Sequence, residues 1–257
     1  MVDIHPTAIV DRDAQLEDGV RVGPYSVIDR NVQIGANVWI DTHVRIAPGA
    51  RIAPGVKIHH GAMVGNIPQD LKFAGEDSIA SIGENTVIRE CCTVHRGTKA
   101  SGQTVVGKNC FLMAYVHVAH DCVLGDNVIL ANAVNLGGHV QIDDWAIIGG
   151  VVPVHQFVRI GCHSMIGGGY RVPKDVPPYI LAAGEPLMYG GLNSVGLRRR
   201  GFKASVVREL KQAYKLIYKS NLNVSQALDA IRENGNIGPE VTEVVNFIEN
   251  SERGIIG

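Results

Sequence analysis

With 257 residues, 24 Lys and Arg against 25 Asp and Glu, the chain is nearly neutral, which excludes a general nucleic-acid surface. No stretch reaches the apolar length of a membrane span, and MVDIHPTAIVDRDAQ lacks the basic start and apolar run of a secretory leader, so a cytoplasmic location is expected. The 5% aromatic content and 30 glycines suit thin coils around a narrow aliphatic interior rather than one thick core.

From Leu16 an aliphatic residue recurs every six positions, at 22, 28, 34, 40, 46, 52 and 58. The fifth positions of these hexads are Val20, Ser26, Val32, Val38, Val44, Ala50, Val56 and Ala62, all of small or moderate size. The period resumes at Ile82, Ile88 and Val94, then runs from Val106 to Ile166 in eleven hexads. A period of six fits neither a helix nor simple strand alternation. It fits short strands joined by tight turns, with residues one and five inward, in units that bury their apolar face only by stacking on their neighbours. Three hexads per turn predict triangular coils of eighteen residues, spaced by about 4.8 Å. The pattern resembles the hexapeptide-repeat family, which implies an all-β solenoid, a left-handed parallel β-helix. That hand comes from the resemblance, because ordinary parallel crossovers are right-handed.

The solenoid is expected over 1–177, interrupted by NIPQDLKFAGEDS at 66–78 and TKASGQT at 98–104. Cys92, Cys110 and Cys122 fall on the inward fifth position as small apolar fillers, and disulfides are not expected. The period fails near Pro173, and VPPYILAAGEPLMYGG reads as a connector. Beyond it, Val206, Val207, Leu210, Tyr214, Ile217 and Tyr218 share one face at helical spacing. VSQALDAIREN and PEVTEVVNFIEN read as two further helices, the second with Pro239 in its first turn, so 178–257 is expected to form a connector and a C-terminal α-helical domain.

Departures from a rigid repeat are where sites belong, although the two interruptions also fit as harmless insertions. Val118, Leu136 and Val154 are eighteen apart and stack in one column. Their neighbours His120, Asp121, Gly138, His139, His155 and Gln156 therefore gather over three coils, with His117 just before them, mostly at outward positions. A histidine beside a carboxylate takes a proton from a hydroxyl or an amine. Gly138 lets a carbonyl approach its N–H, which then stabilises the oxyanion of a tetrahedral intermediate. His120 as base and Gly138 as donor suffice for acyl transfer, whereas lone exposed histidines are usually plain surface. Zinc is the competing chemistry, as in the γ-class carbonic anhydrases of the same superfamily. Their two nearby histidines are five apart, but His117 and His120 are three apart.

The series IPQDLKF, IRECCTVHRGT, HVAHDC, LGGHV, AIIGG, VHQF, DVPPY and LRRRGF resembles, in order and spacing, the UDP-N-acetylglucosamine O-acyltransferase family of lipid A synthesis. The resemblance spans essentially the whole chain. It implies a homotrimer with sites between subunits, and a 3-hydroxyacyl group carried on acyl carrier protein and passed to the sugar 3-position. No metal or other cofactor is implied beyond the carrier thioester as co-substrate. It makes His120 the general base supported by Asp121, and Gly138 the oxyanion donor, with His139 against the nucleotide or acyl intermediate. Gln69, Asp70, Lys72, His117, His155 and Gln156 become contacts to the sugar and phosphates. Asn193, Arg199 and Arg200 become nucleotide contacts, the arginines suiting a diphosphate. Val195 stands where better-known members carry an acidic residue, and EPLMYGG also diverges. Gly168 matches the position that limits acyl length. It lies 48 residues beyond His120, about 2.7 coils or roughly 13 Å of rise, which with an open glycine favours about fourteen carbons. Arg171 and Lys174 are candidate carrier contacts. The rivals are a 3-amino acceptor, the later N-acyltransferase with its extra N-terminal domain, a small acetyl-CoA-dependent acetyltransferase, the zinc enzyme, and a solenoid that only binds partners.

Overall fold

The computed structural model describes residues 1–233, 235 and 237–257. Short strands repeat along the chain from Asp3 and join three sheets of eleven, eight and eight strands, parallel throughout the coils. Each coil pairs with the next at a step of eighteen residues: Val118 lies against Leu136, and Leu136 against Val154. The first coil opens two hexads earlier than the run from Leu16, because Ile4 and Val10 already pair with Val22 and Ile28.

The first and fifth positions face inward as the period predicts. Ile28, Ile46, Val64, Val94, Val118, Leu136 and Val154 form one fully buried column along a single sheet. The buried polar fifth positions Ser26 and Thr86 find partners inside, whereas the buried hydroxyl of Ser164 has none among the described residues. The Ser26 hydroxyl donates to the Asp41 carbonyl at 2.7 Å and accepts the Val44 N–H at 3.0 Å. Cys92, Cys110 and Cys122 are buried here, and none of the five cysteines is bridged. Burial raises the Cys110 thiol to about 11 and those of Cys92 and Cys122 to about 12, so these are inert fillers.

The turns show why the fourth position favours Gly and Asn. Non-glycine residues there, from Tyr25 to Tyr179, hold φ between 53° and 65°, the left-handed region that costs most L-residues about 1–2 kcal/mol. The three corners of the coil therefore form three edges, each a stack of identical turns. We name them after residues they carry: the histidine edge (turns at 120–121, 138–139 and 156–157), the tryptophan edge (126–127, 144–145, 162–163) and the glycine edge (132–133, 150–151, 168–169).

Both interruptions leave from the histidine edge and preserve the sheets. Met63 pairs with Thr93, thirty residues on, and Thr93 with Val118's neighbour His117, twenty-four on. The second loop occupies 96–102 rather than 98–104, because Gln103 and Thr104 already belong to a strand.

The segment expected as a bare connector is a hairpin. Ile180–Ala183 continues the eleven-stranded sheet on Met165–Ile166, and Met188–Leu192 folds back antiparallel to it. Its Gly and Pro mark the hairpin's bend, and its apolar residues cover the last coil. Helices α1 (Ser194–Arg199), α2 (Ala204–Lys219), α3 (Val224–Glu233) and α4 (Pro239–Glu249) follow, of which α1 was not anticipated. Pro239 stands at the start of α4 as expected, where its missing N–H costs nothing. The helices are fastened to the coil by Tyr214, which donates to the Pro178 carbonyl at 2.5 Å, and by Arg159, which donates to the Asn250 carbonyl at 2.9 Å and lies 4.7 Å from the Phe247 ring. Among the described residues, no helix is long and apolar enough to cross a membrane.

Leu130 is fully buried between neighbouring coils, so Leu130→Ala leaves a cavity that flanking coils cannot fill. It should cost about 2–5 kcal/mol in denaturant unfolding at fixed protein concentration; a change under 1 kcal/mol would contradict the rigid stacking described here.

Candidate active site

On the histidine edge the left-handed fourth position sets Asp121, His139 and Phe157 in one column, with φ of 60°, 62° and 64°. Successive turns are tied together: the His139 N–H donates to the His120 carbonyl, and the Phe157 N–H to the Gly138 carbonyl, each at 3.1 Å. The His139 ring stacks on Phe157 with centroids 4.6 Å apart, and meets His120 edge-on at 5.2 Å. Stacking from above and a perpendicular ring beside it fix where each imidazole points.

His120 Nδ1 lies 2.7 Å from Asp121 Oδ2. This bond places the proton on Nδ1 and leaves the Nε2 lone pair free to accept one, the arrangement a general base requires. Asp121 does not face solvent, contrary to its outward place in the hexad; its side chain is fully buried. The second loop covers it. The Thr98 N–H and hydroxyl donate to Oδ1 and Oδ2 at 2.9 and 2.8 Å, the Ser101 hydroxyl donates to Oδ1, and the Asp121 N–H donates to Thr104 Oγ1 at 2.8 Å. Burial pushes the carboxyl up, but the hydrogen bonds from Ser101, His120 and Thr98 prevail and hold it at about 2. Asp121 is therefore a permanent anion beside His120.

Gly138 lies beneath the His120 ring. A Cβ there would stand 2.6 Å from His120 Cε1 and 2.8 Å from Nε2, so any side chain must displace the imidazole. The third-position N–H of a hexad is not used by the sheets. On the tryptophan edge an aspartate of the next coil accepts it, from Lys108 and from Asp126, each at 2.7 Å. At Gly138 no acceptor among the described residues takes it. An N–H without a partner next to the base is what an oxyanion needs.

His117 sits one step deeper, with Nδ1 2.7 Å from Thr93 Oγ1 and its ring edge-on to His95 at 4.9 Å. Burial, reinforced by His120, lowers the His117 pKa. Burial and the neighbouring His117 and His120 lower that of His95 to about 4, so it stays neutral. His155 and Gln156 are exposed two coils beyond His117, next to the coil of Gly138 and His139.

The remaining candidates divide among places. Gln69, Asp70 and Lys72 ride the first loop, where Asp70 Oδ1 accepts the Lys72 N–H at 2.9 Å and shapes the turn. The two loops are joined: Glu76 accepts the N–H groups of Ala74 and Lys99 at 2.8 and 3.0 Å, and Arg96 lies 5.3 Å from the Phe73 ring. Asn193, Arg199 and Arg200 sit at the tryptophan edge. Asn193 caps α1 by accepting the Gly196 N–H at 3.1 Å and donates to the His163 carbonyl at 2.9 Å. Arg200 lies 5.1 Å from the Trp145 ring and donates to its carbonyl at 3.0 Å, while Arg199 and Val195 are exposed. Gly168 is exposed on the glycine edge. Arg171 is paired with Glu185 at 3.5 Å, and Lys174 is exposed. One prism thus does not bring the base, the arginine pair and Gly168 together.

Thr98, Ser101, Thr104, Thr93, His95 and Phe157 belong to the site without having been given roles from the sequence. The eighteen-residue arithmetic reaches Phe157 but misses Thr93 and His95, which the second loop shifts by a hexad, and Thr98 and Ser101, which lie in the loop itself.

His120, Asp121 and His139 are also close enough to hold a metal ion, their ligand atoms lying within 4.8 Å of one another. The donor set fits poorly, since both Asp121 oxygens already accept two hydrogen bonds each and a carboxylate offers about four such positions.

A solenoid of hexapeptide turns with a histidine–carboxylate dyad beside an open backbone N–H defines a hexapeptide acyltransferase. Residues 31–66 and 103–138 match the family of bacterial transferase hexapeptide repeats, and residues 175–256 match the second domain of Udp N-acetylglucosamine O-acyltransferase. An acyl-[acyl-carrier-protein]–UDP-N-acetylglucosamine O-acyltransferase from Chlorobium phaeobacteroides is 54% identical, over 99% of this chain and 97% of its own. One of the same name from Sulfurihydrogenibium is 52% identical, over 99% and 94%. The crystal structure of a UDP-N-acetylglucosamine acyltransferase from Bacteroides fragilis superposes with a TM-score of 0.97 at 47% identity, covering 98% of this chain and 99% of that one. The chain belongs to the UDP-N-acetylglucosamine O-acyltransferase family, and its coils form the left-handed parallel β-helix expected from the repeat, closed by a helical C-terminal part.

Gly138→Ala should lower kcat by about ten- to a thousand-fold while leaving the fold intact by circular dichroism, because the methyl displaces His120 and hinders the N–H. Undiminished turnover would remove Gly138 from the mechanism. Asp121 also predicts an acid dependence of stability. Its folded pKa lies below the unfolded value, so its contribution is complete above about pH 4 and is lost as pH falls towards 2. Asp121→Asn should flatten that part of the stability profile, and an unchanged acid limb would show that the carboxylate is not held as described.

Proposed function

We propose that the protein transfers a 3-hydroxyacyl chain from acyl carrier protein to the 3-hydroxyl of UDP-N-acetylglucosamine, in lipid A biosynthesis. The carrying observation is the dyad of His120 and Asp121 over the unpartnered N–H of Gly138, in a chain related along its whole length to acyltransferases of that name. His120 Nε2 takes the proton from the sugar hydroxyl as its oxygen attacks the thioester carbonyl. Asp121 stabilises the imidazolium that forms, and the Gly138 N–H bears on the developing oxyanion. Collapse of the tetrahedral intermediate expels the carrier thiolate, which recovers the proton from His120. This chemistry draws on no metal or redox cofactor. Acyl carrier protein and the nucleotide sugar are cellular solutes, in keeping with a cytoplasmic place of action.

In this reading Gln69, Asp70, Lys72, His117, His139, His155 and Gln156 line the sugar and phosphate subsite, while Asn193, Arg199 and Arg200 meet the nucleotide. These groups occupy different edges of one prism, which supports a homotrimer in which a neighbouring copy completes each site. Gly168 bounds the acyl groove. A Cβ there would lie 3.2 Å from the Gly150 carbonyl oxygen, tight but adjustable, so a larger side chain projects outward without breaking the coil.

Mass spectrometry of the product from UDP-N-acetylglucosamine and mixed 3-hydroxyacyl carrier proteins tests the reading, with His120→Ala alongside. One acylated nucleotide sugar carrying a chain of about fourteen carbons is expected, with turnover reduced about 10²–10⁴-fold in the variant. Product only from the 3-amino sugar nucleotide would reassign the acceptor. Gly168→Met should shift preference to shorter donors, and unchanged selectivity would reject Gly168 as the stop.

A further inference from the structure

The second interruption of the repeat does more than decorate the edge. A fourth-position side chain in this solenoid points away from the core, and Asp121 would be wet in an uninterrupted coil. Residues 96–102 fold across it, and within four residues this loop supplies three donors to one carboxylate: the Thr98 N–H, the Thr98 hydroxyl and the Ser101 hydroxyl. Thr104, the strand residue just beyond, receives the Asp121 N–H and fixes the backbone as well. Thr98 is itself buried, so its hydroxyl has little access to water and is committed to Asp121. His120 Nδ1 completes the set as the fourth donor, on the same oxygen as the Thr98 hydroxyl.

We infer that Thr98 and Ser101 are positioning residues that set the basicity and orientation of His120 through Asp121. The inference rests on the reading of His120 as the base. Each hydroxyl draws charge from the carboxylate and lowers its affinity for the Nδ1 proton. That proton therefore stays on the imidazole, while Asp121 cannot rotate away from it. Without the hydroxyls the carboxylate would carry more uncompensated charge towards Nδ1–H. The imidazolium would then be favoured, and His120 would keep its proton to higher pH. The loop thus tempers the pull of Asp121 on the Nδ1 proton and holds the imidazole rigid enough to aim Nε2.

The test is the titration of His120 by NMR in the free protein, which needs no substrate and is independent of the reaction assigned above. The groups facing His120 are Asp121, His139, His117 and His95, so its resonance is assigned by its absence in His120→Ala. Thr98→Val and Ser101→Ala each remove a hydroxyl. Thr98→Val is isosteric at a buried position and so should keep the fold. In both, the His120 midpoint should rise by about 0.5 to 1 unit, and Thr98→Ser and Ser101→Thr should restore it. With the reaction established, the acid limb of kcat/KM should move upward by the same amount. The kcat should fall about ten-fold, with the KM for the nucleotide sugar unchanged, since the variants disturb aim rather than binding. Midpoints equal to or below wild type in both variants would overturn the inference and leave the loop a cover only. If the wild-type protein made no acylated sugar, the proposed function would fall while the NMR result still decided whether Thr98 and Ser101 govern His120.

Discussion

The structure depends on a register of eighteen residues. A two-residue strand makes too few hydrogen bonds and buries too little surface to stand alone, so every coil takes its partners from the coils on either side. Val118 against Leu136 against Val154 is one instance of a column that runs the length of the sheet. This demand for identical stacking forces the turns to be identical too, which puts the fourth residue of nearly every hexad in the left-handed region. It also leaves the third-position N–H outside the sheet hydrogen bonding. The edges are thus rows of backbone donors at coil spacing, most of no consequence or neutralised by side chains such as Asp126 and Asp144. A site arises where one such N–H is bare and a base lies against it, and in the turns at 120 and 138 both conditions meet.

The same register explains where the chain can depart from the repeat. An insertion must give back the strand in phase, so it can only leave and return at a corner. Both loops do so at the histidine edge, and they are knit together by Glu76 and by Arg96 against Phe73. Being free of the repeat, they can place polar donors over an outward side chain, which no hexad can do for its own turn. Asp121 is buried for this reason, and its constant charge is a property of the loop as much as of the coil.

The sequence carried the coil, its column of aliphatics, the grouping of His120, Asp121, Gly138 and His139, and three of the helices. A strict period is a geometric statement, and residues eighteen apart must be neighbours. What it hid follows from the breaks in that period. Asp121 read as outward because the hexad alone says so. Thr98 and Ser101 carried no signal, because a loop has no period and its contacts depend on its path. The hairpin at 180–192 passed for a connector because Gly184, Pro186, Gly190 and Gly191 mask two short strands whose purpose is to cover the last coil. Helix α1, six residues with its only buried side chain at Leu197, has too little amphipathic pattern to announce itself.

The distribution of the candidates over three edges has a further consequence for assembly. His120 and Gly138 occupy one edge, Arg200 against Trp145 the second, and Gly168 the third, and the interior between them is filled by close-packed aliphatics. No motion of a single prism can bring these edges together, because the stacked coils fix them. On the proposed reading, an extended substrate with a nucleotide at one end and an acyl chain at the other would lie between two prisms. Each copy has three edges and each cleft uses edges from two copies, so a closed ring satisfies every copy equally, whereas an open arrangement leaves terminal copies incomplete. The rigidity that makes the solenoid stable is therefore also the reason that the proposed trimer, and not the single chain, is the unit that would catalyse the reaction.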